Sequence, residues 1–313
     1  MTGAAGFVGS NIAARLIDLG HEVVGIDCLT DYYDIRRKQR NIERNDAMRF
    51  IDEDVMDTDL NELLSGVDWV FHEAGQPGVR RSWGTDFSSY IRANIAVTQR
   101  LLEAAKDSSI TRFVYASSSS VYGDARRYPT KEDDLPQPVS PYGVTKLAAE
   151  HLCTLYWKNF QVPTVSLRYF TVYGPGQRPD MAFTRFLTSA YQKSSIEVYG
   201  DGEQVRDFTF VSDVVEANLL AAVNPLAVGQ VFNVAGGSHV TVNQVLGLIE
   251  NIRAAGPLNI DYRAKVAGDV HRTGGDSQKI TEMLGWRPTV SLEDGLKAQA
   301  RWIQDLIDAS IEE

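Results

Sequence analysis

Short apolar runs alternate along the chain with longer stretches whose apolar residues recur every three or four positions. The short runs predict strands at Glu22 to Asp27, Arg49 to Asp52, Asp68 to His72, Arg112 to Ser117, Thr164 to Tyr169 and Gln230 to Val234. The longer stretches predict helices at Phe7 to Leu19, Tyr90 to Lys106, Tyr142 to Phe160 and Val242 to Arg253. Strand, helix, strand, helix is the signature of an α/β fold, a doubly wound parallel sheet with crossovers on both faces. The alternation weakens near Tyr169. Beyond it come the turn-rich Gly174-Pro175-Gly176-Gln177-Arg178-Pro179, a helix from about Met181 to Gln192, and short strands around Gly200-Asp201-Gly202. This later half reads as a smaller substrate-binding portion. No repeat, low-complexity tract or linker separates the two, so they are expected to pack closely.

The 313 residues make about two domains' worth of chain, enough to bury a core without disulfides or metals. At 43% hydrophobic and 23% charged, the composition excludes disorder, collagen and coiled coil. A net charge of −10 argues against nucleic acid or a membrane surface as partner, because a phosphate-coated surface would be repelled. The five His and the two cysteines, Cys28 and Cys153, show no metal-ligand spacing and no disulfide framework, so the default compartment is a reducing cytoplasm. No apolar run approaches the roughly 20 residues of a membrane span, and no basic stretch leads into a hydrophobic one at the N-terminus.

Gly3-Ala4-Ala5-Gly6-Phe7-Val8-Gly9-Ser10 opens directly into the first helix. Glycines there let backbone turn tightly against a pyrophosphate, whose charge meets the free amides of a helix N-terminus. Three glycines alone also fit a plain tight turn. Eighteen residues after Gly9, however, a strand ends in Asp27, where a dinucleotide fold places an acid for the adenosine ribose. The pair reads as a dinucleotide site. Asp27 would repel a 2′-phosphate, which favours NAD over NADP; Arg36 and Arg37 lie past the strand end and read as a solvated helix face.

Tyr142 and Lys146, in Ser140-Pro141-Tyr142-Gly143-Val144-Thr145-Lys146, fall one turn apart on one helix face. A phenol titrates near 10 and is a poor base at neutral pH unless positive charge favours the phenolate. A cation at about 6 Å and an effective dielectric of about 20 contributes roughly 3 kcal/mol, or about two pKa units. Lys146, aided by a positively charged nicotinamide, is expected to supply that field. A Tyr-x-x-x-Lys pair alone also fits a core tyrosine beside a surface lysine. Added weight comes from Phe113-Val114-Tyr115-Ala116-Ser117-Ser118-Ser119-Ser120-Val121-Tyr122-Gly123, a strand turning polar at the C-terminal edge where α/β sheets hold ligands.

Gly3-x-x-Gly6-x-x-Gly9, Asp27, the serine run into Val121-Tyr122-Gly123, Tyr142-x-x-x-Lys146 and Arg206-Asp207-Phe208 resemble the extended short-chain dehydrogenase/reductase family, and within it the nucleotide-sugar epimerases. The resemblance covers essentially the whole chain. It implies a Rossmann-type NAD-binding domain at 1–168, rejoined by 207–235, and a nucleotide-sugar-binding domain from 169–206 and 236–313. It also implies that Ser118 assists the catalytic Tyr142, that Lys146 holds the nicotinamide ribose, and that Arg206 contacts the substrate diphosphate, a role suited to its planar fork. Asp269 then lies near the nucleotide and Asn94 near the cofactor, with Asp54 as a further cofactor-binding candidate. The helices at 90–106 and 142–160 would pair with their copies in a homodimer.

Dehydratases and uronate decarboxylases that resemble the chain usually carry glutamate where Ser120 stands. Arg168-Tyr169-Phe170-Thr171-Val172-Tyr173-Gly174-Pro175, Arg178-Pro179-Asp180-Met181-Ala182-Phe183 and Gln76-Pro77-Gly78-Val79-Arg80 look like the UDP-glucuronate 4-epimerases. UDP-glucose 4-epimerases tend to have asparagine at Thr171 and a basic residue at Val266. The resemblance therefore implies NAD-dependent C4 epimerisation of a UDP-hexuronic acid, with Arg178, Thr171, Ser119 and Ser120 as candidates for holding its carboxylate. The rivals are a UDP-glucose 4-epimerase, a UDP-glucuronate decarboxylase and a non-catalytic NAD sensor. Two features depart from the family. Its first strand is reduced to Met1, from which a misassigned start is expected, and Gly75 stands where alanine is common.

Overall fold

The computed structural model describes residues 1–125, 127–265 and 270–312. Asp269 and Val266 lie outside the described residues. The main sheet contains β1 (Val24–Asp27), β2 (Arg49–Asp52), β3 (Trp69–His72), β4 (Arg112–Ser118), β5 (Thr164–Tyr169) and β9 (Val231–Val234). β2 pairs with β1, and β3, β4, β5 and β9 follow one another, all parallel. All seven residues of β4 are buried, as a strand covered on both faces requires.

The place between β1 and β3 is taken by Thr2, which bridges in parallel to Ile26 on one side and His72 on the other. Ile26 N–H donates to the Met1 carbonyl at 2.9 Å, and Thr2 N–H donates to the Phe71 carbonyl at 3.0 Å. The strand order therefore reverses direction at Thr2, and the glycine-rich loop leaves the sheet at that switch point. The seam is also tied through side chains. Thr2 Oγ1 lies 2.8 Å from His72 Nδ1, His72 Nε2 lies 2.9 Å from Thr98 Oγ1, and Thr98 Oγ1 donates to the Asn94 carbonyl at 2.7 Å.

Helices cover both faces. On one, α1 (Phe7–Asp18) and α8 (Val211–Val223) bury Phe7, Ile12, Leu16, Val214 and Ala217. On the other, α5 (Val97–Lys106) and α6 (Pro141–Phe160) bury Leu101, Leu102, Ala149 and Cys153. Around them lie α2 (Ile35–Glu43), α3 (Leu60–Leu63) and α4 (Phe87–Tyr90). The helix expected from Tyr90 is not continuous: it starts at Phe87 and passes through a π-turn at Ile91–Ala96 before α5. The wider turn carries Asn94 into the interior, where it is 1% exposed.

β6 (Thr171–Tyr173), β8 (Val205–Phe210) and β10 (Ser238–Thr241) form a second sheet, while β7 (Ile196–Tyr199) pairs in parallel with β11 (Ile260–Arg263). α7 (Ala182–Tyr191), α9 (Val242–Arg253) and α11 (Leu292–Glu312) bury Phe183, Leu187, Val245, Ile249 and Leu296 with these strands. Residues 207–210 therefore run in the second sheet, and the chain rejoins the first core at α8. α10 (Gln278–Leu284) also returns to that core through Ile280, Leu284 and Trp286.

Candidate active site

The glycine loop is shaped by close approach. Gly3 has φ +66°, and a Cβ there would lie 2.7 Å from the Ala74 nitrogen; a Cβ at Gly9 would lie 2.2 Å from the Gly3 carbonyl oxygen. Gly6 ends the loop as the N-cap of α1 and supplies no side-chain cap, so the first amides of the helix face outward for an anion. At the end of β1, Asp27 accepts hydrogen bonds from Ala5 N–H (3.2 Å) and Leu29 N–H (2.9 Å). Lys38, buried on α2, brings its ammonium to 3.6 Å from Asp27. The expected repulsion of a 2′-phosphate is thus partly offset by a neighbour in the next helix. Arg36 is exposed and pairs with Asp34 as a solvated face would, but Arg37 turns in over the Trp302 ring at 5.9 Å.

Asp54 accepts from Met56 N–H and from Arg92 Nη2, each at 2.8 Å. Burial opposes its charge, but these donors outweigh burial and hold the carboxyl below its ordinary value. Asn94 is fully engaged by the protein. Its Oδ1 accepts from Gln76 N–H (2.7 Å), and its Nδ2 donates to the Gln76 carbonyl (3.1 Å) and Thr145 Oγ1 (2.9 Å). Asn94 therefore braces the loop after β3 against α6. Gly75 acquires a physical reason here, because a Cβ would come within 2.9 Å of Asn94 Oδ1.

Ser140 Oγ accepts from Gly143 N–H at 3.1 Å and Pro141 occupies the first turn, which starts α6 sharply and fixes Tyr142 and Lys146 one turn apart. Ser118, at the end of β4, accepts from Ser120 N–H at 3.1 Å and lies close enough to Tyr142 to act on its phenol. Ser119 and Ser120 form the half-buried 3₁₀ turn that follows. The electrostatics differ from the sequence expectation. Burial pushes the Tyr142 phenol up, while the Ser118 bond and the positive charge of Arg178 pull against it. Lys146 is turned instead over the Tyr115 ring, 4.6 Å away, and burial lowers its ammonium to about 8. In this geometry the cation acting on the phenol is Arg178.

A cleft of about 450 Å³ opens at Arg178 and is lined also by Arg80, Arg81, Thr171, Arg185 and Arg206; Ser118, Tyr142 and Lys146 are not among the residues that line it. Aromatic rings support several of these cations: Arg80 lies 4.3 Å from the Tyr199 ring, and Arg81 and Arg178 lie 5.1 and 5.9 Å from the Tyr32 ring. Arg178 Nε and Nη2 each donate to Asp180 at 2.9 Å, an ion pair that outweighs burial and holds the guanidinium above its ordinary value. Arg206 lines the cleft, whereas Asp207, next on β8, is buried and accepts from Gly275 N–H at 3.2 Å. Lys38, Asp180 and a carboxyl at Glu73 escaped the sequence reading. For Glu73 the signal was an acid closing the apolar run Trp69-Val70-Phe71-His72.

A doubly wound sheet with its glycine loop at the switch point, and a Tyr-x-x-x-Lys helix facing a serine turn, defines an extended short-chain dehydrogenase/reductase. Residues 1–235 match the NAD dependent epimerase/dehydratase family, and the chain belongs to it. A Bacillus subtilis (strain 168) protein described as an uncharacterized UDP-glucose epimerase, YtcB, is 41% identical over 98% of both chains. A UDP-glucuronate 4-epimerase of Thermodesulfobacterium geofontis is 33% identical, over 98% of this chain and 96% of its own. The solved UDP-glucuronic acid 4-epimerase of Bacillus cereus, in complex with UDP-glucuronic acid and NAD, superposes with a TM-score of 0.94. It is 42% identical, over 97% of this chain and 98% of its own.

Proposed function

We propose that this chain is an NAD-dependent 4-epimerase that converts UDP-glucuronate to UDP-galacturonate. The observation that carries this reading is Arg178, a half-buried guanidinium whose field reaches the Tyr142 phenol and which lines a cleft walled by arginines. C4 and the C5 carboxylate of a uronate are neighbours, so a base for one and a cation for the other belong side by side.

The residues at the end of β1 and the start of α1 fit NAD: a cradle that Cβ atoms at Gly3 and Gly9 would fill, the uncapped amides of α1, Asp27 with Lys38, and Asp54 on the adenosine side. Held there, NAD would supply the reversible hydride acceptor that C4 epimerisation needs. Tyr142 accepts the O4 proton and later gives it back. Ser118 donates its hydroxyl to O4, and Lys146 holds the nicotinamide ribose. Arg206 takes the diphosphate, and Asp269 lies near the nucleotide. A sugar oxidised at C4 is a β-keto acid that loses CO2 when its carboxylate bond stands perpendicular to the ketone. Arg178, with Thr171, Ser119 and Ser120 as neutral donors, holds the carboxylate charged and near the ketone plane.

One observation favours the neutral-sugar rival, UDP-glucose 4-epimerase. The fork of Arg178 is already filled by Asp180, as a site with no substrate carboxylate would arrange it. Incubation of purified protein with separate UDP-sugars, with products identified by NMR, decides between the two. UDP-galacturonate formed from UDP-glucuronate with little pentose supports the uronate reading. Interconversion of UDP-glucose and UDP-galactose with UDP-glucuronate ignored overturns it.

Three coarser proposals accompany this one. The chain forms a homodimer through the face of the π-turn, α5 and α6, where Ile91, Val144, Leu155 and Phe160 are exposed. The NAD-binding part comprises the main sheet with α8 and α10, and the sugar-binding part the second sheet with α7, α9 and α11. The working compartment is a reducing cytoplasm, which suits free Cys28 and Cys153. Among the described residues, no helix is long and apolar enough to cross a membrane and no cluster of ligating side chains could hold a metal.

A further inference from the structure

Lys146 sits where burial works to remove its charge, and among the described residues no carboxylate lies within ion-pairing distance of its Nζ. The groups that face it come from several elements. Tyr115 on β4 presents its ring, His72 on β3 is an uncharged imidazole, and Asn94 on the π-turn is bound to Gln76 and Thr145. Glu150 and Cys153 lie further along α6. Glu150 is already matched, since Arg168 donates to both its oxygens at 2.6 and 2.9 Å and Ser117 donates at 2.6 Å. Cys153 is a thiol that burial keeps protonated.

The remaining group is Glu73, at the C-terminal end of β3. Tyr169 Oη donates to its Oε1 at 2.9 Å, and Tyr169 in turn accepts from Asn218 Nδ2 at 2.8 Å. Asn218 is fully buried on α8, so the carboxylate is held from that face of the sheet. Two residues on, the backbone at Gly75 passes so near Lys146 that a Cβ would stand 3.8 Å from Nζ. Of the anions acting on Lys146, Glu73 exerts the largest effect, and Lys146 is a cation that favours ionisation of Glu73.

We propose that Glu73 is a positioning residue of the reaction: its carboxylate, fixed by Tyr169, is the counter-charge that keeps Lys146 an ammonium inside the closed site. The proposal rests on the reading of Tyr142 and Lys146 given above. A charged Lys146 can only donate hydrogen bonds to the ribose it holds, whereas a neutral amine also presents a lone pair to it. Burial pushes Glu73 up to about 7 and Lys146 down to about 8, so both are charged together only in a narrow window around those values. Loss of the Glu73 charge leaves Lys146 an ammonium at low pH but moves its titration, and with it the alkaline limb of activity, to lower pH.

Glu73→Gln keeps an oxygen for Tyr169 and removes the charge. In NAD-loaded protein with labelled lysine, NMR titration of Lys146 is expected to fall by roughly half a unit or more in this variant. An unchanged titration in folded, loaded variant overturns the proposal. This readout needs no turnover, so it decides the proposal even if no UDP-sugar is epimerised, which would instead sink the reading of the site. In kcat against pH, the alkaline limb is expected to move to lower pH with KM for the UDP-sugar held within about two-fold, and Glu73→Asp is expected to restore it. Tyr169→Phe tests the same link with the same sign and a smaller effect. It deprives the carboxylate of its donor, so Glu73 ionises at higher pH and the Lys146 titration is expected to fall by less than in Glu73→Gln; a titration that stays in place in this variant counts against Glu73.

Discussion

Two walls of the candidate site are built on different principles. The first, at the edge of the main sheet, holds Ser118, Tyr142, Lys146 and Glu73 by strand ends and the first turns of one helix, and burial displaces the last three from their ordinary titration. The second, the wall of the cleft, holds Arg80, Arg81, Arg178 and Arg185 over Tyr199 and Tyr32, and two of them are also paired with Asp180 and Glu197. The chain as a whole carries −10, yet this wall gathers positive charge. In the reading proposed above, the first adjusts proton affinity and the second neutralises an anionic substrate. A focused cationic wall in an acidic protein draws in polyanions without making the whole surface sticky to them.

Tyr142→Phe is expected to have the largest effect, a loss in kcat of at least about a thousand-fold, with UDP-sugar affinity within several-fold by calorimetry. Near-normal turnover would erase the distinction between the walls. Next comes a pH effect on stability from Glu73, which is raised from an ordinary 4.5 to about 7 in the folded state. Its protonated form is the one folding favours, so its contribution is fully present below about pH 4.5 and is lost as pH rises through 7. The loss is at most about 3 kcal/mol. Denaturant unfolding of NAD-free protein at pH 5 and 8 is expected to show Glu73→Gln gaining on wild type at the higher pH. Arg178→Ala is expected to weaken UDP-glucuronate about 10- to 100-fold and to raise the pentose fraction, with UDP-glucose affinity little changed. An equal loss for both sugars would assign Arg178 to the diphosphate. Smallest is Thr241→Ala, which removes the capping box that Thr241 and Gln244 form at the start of α9. About 1 kcal/mol of stability and a slight rise in KM for the UDP-sugar are expected, with NAD retention unaltered.

The sheet wall was legible in the sequence because its information is local. β2 and β5 have the predicted bounds, and Tyr142 and Lys146 follow from one helix period. The π-turn was not legible, since one widened turn leaves the apolar spacing of 90–106 almost unchanged while moving Asn94 inward. Arg178 could be named as a cation near the substrate, but not as the charge acting on Tyr142. That depends on where β6 and its following loop are carried by pairing with β8, over thirty residues away in sequence. Lys38 and Glu73 were hidden for a related reason. Each becomes meaningful only beside a partner on another element, Asp27 for one, Tyr169 and Lys146 for the other.

The side-chain tie across the seam at Thr2 has a direction. At one end the Ala74 N–H can only donate, and it donates to Thr2 Oγ1 at 3.1 Å. At the other end the Asn94 carbonyl can only accept, from Thr98 Oγ1. Between two backbone groups that cannot exchange roles, each proton has one place: Thr2 gives its own to His72 Nδ1, and His72 Nε2–H gives to Thr98. Burial lowers His72 to about 3, so no second proton joins the chain near neutral pH. The imidazole is therefore a single frozen tautomer. Although it ends β3 beside the reactive groups, it has neither a lone pair nor a proton left to offer them.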